Sequence, residues 1–192
     1  MCIKMEKHED LRIVKTKKAI RTAFTEMICE LEYNELNVKE LCARAMINRK
    51  TFYLHYESLD ALFAELENEI VEGYTKQSIS YKSMTDIKKI IRYYFESMAH
   101  QPALNERMMC APSYRHISDR INARIMEHRR RENEGVFDKD ELKENLVFAY
   151  FGQCSAVLYR QWVLDGKTLP LEELIAMATR LICGGMQSVV RE

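Results

Sequence analysis

Residues 37–62, NVKELCARAMINRKTFYLHYESLDAL, decide how this chain is to be read. After Asn37, Val38, Leu41, Cys42 and Ala45 recur at steps of three and four, the spacing of one buried helix face. Asn37 can cap that helix, and Glu40, three residues on, can return the bond as a capping box. Met46 and Ile47 turn the chain, and Asn48 caps a third helix. Within it Phe52 and Tyr56 are four apart and face inward, which leaves Arg49, Lys50, Thr51, Tyr53 and His55 on the outer arc. Two capped helices joined by a tight turn, the second basic and aromatic outside, have the layout of a helix-turn-helix that sets its second helix in the major groove of DNA.

The outer-arc chemistry suits that task. Arg49 can make a bidentate contact with guanine, and Thr51 can touch a thymine methyl or a phosphate. Lys50, Tyr53 and His55 are natural phosphate or base-edge contacts. Asn37 and Lys39, where the second helix starts, can hold phosphate with backbone amides and side chain.

Upstream, Ile20, Ala23, Phe24, Met27, Ile28 and Leu31 mark one face of a helix over 12–32. Its first half is basic (Lys15, Lys17, Lys18, Arg21) and its end acidic (Glu26, Glu30, Glu32), a polarity that opposes the helix dipole. A basic end directed at phosphate accounts for it. Downstream, a fourth helix runs from Leu59 to about Gly73, and the polar stretch 73–86 reads as a hinge. Ile87, Ile90, Ile91, Tyr94, Phe95 and Met98 repeat the helical spacing. A short helix after Pro102 and another over 113–131 follow, with 129–135 read as a solvated helix end and loop. The helix over 138–165 is almost wholly apolar from Leu146 to Leu158, so it must be covered on all sides. With the last helix, 171–190, it is expected to form a four-helix dimer interface through Gly152, Ser155, Ala156, Tyr159, Ala178, Leu181 and Gly185.

Composition agrees with an all-α chain. Of 192 residues 47% are hydrophobic and 30% charged, with only 6 Gly and 3 Pro, few turn-formers for many short strands. The 29 basic and 29 acidic residues cancel, so any attraction to a polyanion is local. The six scattered cysteines read as reduced thiols of a cytoplasmic protein; the start, 1–10, is charged rather than a secretory signal. Leu146 to Leu164 is long enough to raise the question of a membrane span, but Gln153, Arg160 and Gln161 favour a buried soluble helix. No membrane partner and no cofactor are expected.

Residues 15–62 resemble the N-terminal DNA-binding domain of the TetR/AcrR family of bacterial transcriptional regulators. Thr51-Phe52-Tyr53-Leu54-His55-Tyr56 followed by Leu62 resembles the family's T-[FLV]-Y-x-H-[FY] signature, and 38–45 its second helix. Arg160 to Gly166 followed by Leu171 to Leu174 is similar to a branch that includes regulators of dihydroxyacetone utilisation. The resemblance implies a helix-turn-helix domain over 1–58 and a ligand-sensing and dimerisation domain of helices over 59–192, about nine helices in all. It implies a homodimeric regulator, by family default a repressor, that binds a palindromic operator in double-stranded DNA and answers to a small apolar effector or a partner protein. Two positions depart from the family. Met46 stands where Gly is common, so the turn must tolerate a side chain. Leu59 stands where Lys is frequent, which shifts the burden of phosphate contact toward Lys15, Lys17 and Lys18.

An effector pocket of such a domain would be lined by Tyr94, Phe95, Met98, Met108, Met109, Tyr114, Phe148 and Phe151, residues that could equally fill a core. His100, Cys110 and His116 match no standard metal-ligand spacing, so no metal is expected. Redox sensing by Cys110 would need an exposed thiol in electropositive surroundings. An enzyme is the competing class, but no nucleophile elbow, carboxylate pair or metal signature is present. A protein-interaction adaptor with weak or lost DNA binding is the third, prompted by Met46 and Leu59.

Overall fold

The computed structural model describes residues 11–76, 84–134 and 140–186. The charged start with Cys2, half of the expected hinge (77–83), Gly135 and the expected end of the last helix (187–190) lie outside the described residues. Nine α-helices account for the regular structure of the described residues, together with two short 3-10 turns, Tyr33–Glu35 and Pro112–Tyr114. They are α1 Leu11–Glu30, α2 Val38–Arg44, α3 Arg49–Tyr53, α4 Leu59–Thr75, α5 Met84–Ala99, α6 Ala103–Cys110, α7 Arg115–Glu132, α8 Glu141–Leu164 and α9 Leu171–Met186. The chain divides into two compact units, Met1–Leu66 and Glu67–Glu192. That division falls inside α4, a few residues beyond the expected 58/59, because the first turns of α4 pack with the helices before them.

In the first unit the stripe read from α1 is the core: Ile20, Ala23, Phe24, Met27 and Ile28 are all buried. Leu41, Phe52, Leu62 and Phe63 complete it, with Phe24 edge-on to Phe63 at a centroid distance of 4.8 Å. Arg44 ties α2 to its surroundings through Glu40 at 2.9 Å and Glu30 at 2.6 Å. The two carboxylates push the Arg44 guanidinium above its ordinary pKa by accepting its hydrogen bonds.

In the second unit α5 packs along α9, α7 along α8, and α6 against α7 and α8. The α7–α8 crossing is close. A Cβ added at Gly152 would stand 2.5 Å from Met126 Cγ, so any larger residue would force that side chain to move. Arg160, which argued against a membrane span, is buried on this side of α8 and donates to the Met109 carbonyl (3.3 Å) and Ser118 Oγ (3.2 Å). None of the described helices is long and apolar enough to cross a membrane.

Most residues of the expected interface set lie inside the second unit. Gly152, Ser155, Ala156, Tyr159 and Ala178 are buried within their own chain. The missing side chain of Gly152 serves the approach of α7 to α8. Leu181 remains 55% exposed, and Gly185 lies beneath the Tyr150 hydroxyl. The outward stripe of α8 consists of Leu142, Leu146, Tyr150, Val157 and Leu164, with Met177 and Leu181 from α9. A groove of about 400 Å³ on this side is lined by Tyr150, Gln153, Cys154, Val157, Leu158, Leu181 and Ile182.

The reading of 129–131 as one solvated cluster is also corrected. Arg129 is buried and donates to the Tyr74 carbonyl, while Arg131 is exposed. Arg129 belongs to a row on α7 that ties down the second half of α4. Arg120 Nη2 lies 2.5 Å from Glu67 Oε1, and Arg124 Nη2 donates to Asn68 Oδ1 at 2.8 Å.

Candidate nucleic-acid interface

Both helices of the 37–62 segment start where their caps require. Asn37 Oδ1 accepts from the Glu40 amide at 2.9 Å, and Asn48 Oδ1 accepts from the Thr51 amide at 2.8 Å. The capping box at α2 is displaced: the Glu40 carboxylate accepts from Arg44 Nε, its i+4 neighbour, at 2.9 Å. The turn takes its bend from Met46, which adopts φ +52° with its side chain 92% exposed. A side chain in the left-handed region is costly, but here it meets no crowding.

Phe52 and Tyr56 point inward as their spacing predicts, at 0% and 4% exposure, with the Tyr56 hydroxyl donating to Glu65 at 3.1 Å. The back of α3 is therefore anchored and its outer arc displayed. Arg49 and Lys50 are exposed, and among the described residues neither carries an ion pair. The contrast with Arg44, saturated by two carboxylates, separates a structural arginine from one free to meet an outside anion. Tyr53 is 56% exposed and braced edge-on by Phe52 at 5.2 Å.

Some of the expected contact residues also have internal partners. Asn37 is committed at both ends of its amide, since Nδ2 also donates to the Glu35 carbonyl at 3.0 Å. The Thr51 hydroxyl donates to Asn48 Oδ1 at 3.1 Å, which ties it to the cap. His55 is half-buried just beyond α3. Lys39, Lys15 and Lys18 are exposed and Lys17 is half-buried, all within the same unit. Sequence reasoning passed over Leu54, which is 74% exposed on this arc; its place opposite Phe52 on the helical wheel was the available signal.

In the second unit the residues considered for an effector pocket mostly fill the core. Phe95, Met98, Met108, Met109, Tyr114, Phe148 and Phe151 are buried. Tyr94 and Phe151 share a cavity of about 40 Å³ with Tyr74, Tyr93, Ile90, Ile125, Met126 and Arg129. That is far below the ~300 Å³ of a drug-sized site. Phe148 instead borders an open groove of about 230 Å³ between α7 and α8. The Tyr94 hydroxyl is buried with no hydrogen-bond partner, and burial holds its pKa far above the ordinary phenol value. Nearby, Tyr159 donates to the Met98 carbonyl at 2.8 Å, and the Tyr74 hydroxyl, pushed up to about 12 by burial, to Met98 Sδ at 2.8 Å. Cys110 lacks the setting of a redox sensor, being 4% exposed with its thiol pushed up to about 12 by burial. Among the described residues no group of three or more His, Cys, Asp or Glu side chains is placed to hold a metal ion.

The whole described chain is similar to solved bacterial regulators. A TetR transcriptional regulator from Streptococcus agalactiae matches with a TM-score of 0.67 at 20% identity, over 90% of this chain and 96% of that one. NalD, the secondary repressor of the MexAB-OprM multidrug efflux pump in Pseudomonas aeruginosa, matches with 0.65 at 18%, over 94% and 98%. The fatty acid degradation regulator FadR from Bacillus halodurans matches with 0.53 at 18%, over 92% and 97%. No family model and no curated protein sequence matches. What these likenesses establish is the fold: an all-α chain built as TetR-type regulators are.

Proposed function

We propose that this protein is a sequence-specific regulator of transcription that binds a palindromic duplex as a homodimer. The observation that carries the reading is the state of α3. Its back and its start are fixed by Phe52, Tyr56 and Asn48, while Arg49, Lys50 and Tyr53 face outward without an internal charge partner. Such an arc supplies phosphate anchors and a bidentate base reader on one rigid element. Lys39 and the basic start of α1 supply further phosphate contacts. The adaptor reading loses ground here, because Met46 holds the left-handed turn that its replacement of glycine had put in doubt.

The mechanism is steric and symmetric. Two copies joined through the outward stripe of α8 and α9 would present two α3 helices to successive major grooves, about 34–36 Å apart. A small apolar effector or a partner protein acting on the second unit would pull on α4, whose second half is tied to α7 by Arg120, Arg124 and Arg129. Since α4 is continuous into the first unit, that shift changes the spacing of the readers and the affinity for DNA. Coupling of this kind is worth about 1–3 kcal/mol, or roughly 5- to 150-fold. Repression, with the protein binding rather than transforming its ligands in the cytoplasm, is the default among proteins of this build.

The test is fluorescence anisotropy with duplexes selected by the full chain from a random pool. The reading requires tight, sequence-preferring binding with a steep salt dependence, lost in an Arg49→Ala/Tyr53→Ala double variant. Equal weak binding of selected and random DNA, indifferent to both substitutions, refutes it.

A further inference from the structure

One residue on the outer arc cannot take part in phosphate chemistry. Leu54 directly follows α3 in helical conformation, φ −73° and ψ −21°, and is 74% exposed. Phe52 and Tyr56, two residues to either side, are 0% and 4% exposed and define the buried direction. At about 100° per residue, Leu54 lies about 200° from Phe52, on the face away from the buried one. Lys50, four residues earlier, lies on the same line of the helix and Tyr53 beside it. Leu54 is thus an isolated apolar tip among a cation, a phenol and an imidazole.

We infer that Leu54 is a specificity residue that reads thymine, packing its methyl groups against the C5 methyl of one thymine in each half-site. The inference rests on the proposal that this helix enters the major groove. A leucine neither donates nor accepts a hydrogen bond, so it can hold no phosphate and read no amino, keto or ring-nitrogen group. Among the groups that base pairs display in the major groove, the thymine methyl is the apolar one. On this outward face Leu54 is directed at the groove, and Lys50, one turn nearer the start of the helix, sets the register by holding a phosphate or a neighbouring base. The half-site therefore contains a thymine whose partner on the protein is an alkyl group, not a hydrogen bond.

The experiment replaces, one at a time, each thymine of a selected operator by uracil, which keeps the base pair and removes only the methyl. Binding of the full-length wild type and of Leu54→Ala is then measured on each duplex. At one thymine per half-site, uracil should weaken the wild type roughly fourfold, the worth of one buried methyl-sized group. Leu54→Ala should bind the thymine and uracil duplexes equally at that position while keeping its salt dependence, since its phosphate contacts are intact. Uracil without effect at every position, or Leu54→Ala as sensitive to uracil as the wild type, overturns the inference while DNA reading stands. A wild type that selects no sequence at all overturns the DNA-reading proposal, and Leu54 as a reader falls with it.

Discussion

Met46 and Gly166 hold the same backbone position at the ends of two different helices. After α2, the Ile47 amide donates to the Cys42 carbonyl at 3.0 Å and Met46 to Ala43 at 3.2 Å, with Met46 at φ +52°. After α8, Lys167 donates to Trp162 at 2.9 Å and Gly166 to Val163 at 3.0 Å, with Gly166 at φ +70°. Both are Schellman endings, a motif whose left-handed residue is usually glycine. The turn of the helix-turn-helix therefore has the regular geometry in spite of its methionine.

Met46→Gly should then stabilise the chain. The left-handed conformation costs an L-residue roughly 1–2 kcal/mol, and glycine returns part of that gain through its freer unfolded state. A side chain 92% exposed loses no packing when removed. The expected net gain is about 0.5–1 kcal/mol in urea unfolding. Met46→Ala, which keeps the Cβ, should gain nothing; an equal gain in both variants would locate the effect elsewhere than in backbone strain.

Arg129 and Arg131 are two residues apart and should differ sharply on truncation. The Arg129 side chain is 4% exposed, holds the Tyr74 carbonyl and pairs with Glu132 at 2.9 Å. Arg131 is 74% exposed and, among the described residues, pairs with Glu127 at 2.8 Å. Arg129→Ala should cost about 2–3 kcal/mol by stranding buried partners, and Arg131→Ala less than ~0.5 kcal/mol. Because Arg129 holds α4, its loss should also blunt any effector response in the DNA-binding assay. Similar unfolding midpoints for the two variants would contradict this assignment.

Thiol labelling separates the cysteines by burial. Cys29 is exposed and should react at once at pH 8, whereas Cys110, pushed up to about 12, should react only on unfolding. The same shift fixes a sign in alkali. Below about pH 9 folded and unfolded chains both keep the Cys110 proton, so its contribution to stability is intact. Between about pH 9 and 12 the unfolded chain releases that proton and the folded chain does not, so stability falls as pH rises. Tyr74, also pushed up to about 12, adds to the fall above about pH 10. Cys110→Ser should flatten the lower part of that slope; an unchanged slope would deny Cys110 its share.

The features legible in the sequence were the local ones. Asn37 and Asn48 announce helix starts because a cap bonds an amide three residues away, and Phe52 and Tyr56 announce a buried face because helical period relates them directly. Competition between neighbours was harder to see. Glu40 can serve the cap or Arg44, and Thr51 can serve DNA or Asn48; in each case the internal partner is already within reach. The orientation of α8 was not legible at all. A helix apolar all round carries no marked face, so the small residues at Gly152, Ser155 and Ala156 could have met α7 or a second subunit. At Gly152 it is Met126 of α7 that closes over the glycine, a contact that the periodicity of α8 alone does not encode. Arg129 escaped for the same reason, since its burial depends on where Tyr74 lies.

That orientation decides how dimerisation should fail. Leu146 is 71% exposed, in line with Leu142 and Tyr150 on the outward stripe of α8, whereas Ala178 is fully buried in its own chain. If two copies join through this stripe, Leu146→Glu removes a large apolar contact from each copy and leaves a charge in its place. Two leucines at about 1.5 kcal/mol or more each correspond to a loosening of the dimer by roughly 100-fold or beyond. Sedimentation should show the variant as single chains at concentrations where the wild type is paired, with its helical circular dichroism unchanged. Ala178→Glu should instead lose helicity, because its charge would enter the core of the second unit. A Leu146→Glu protein that still pairs as the wild type does would mean that the copies meet on some other face, and the geometry offered to DNA would have to be built from there.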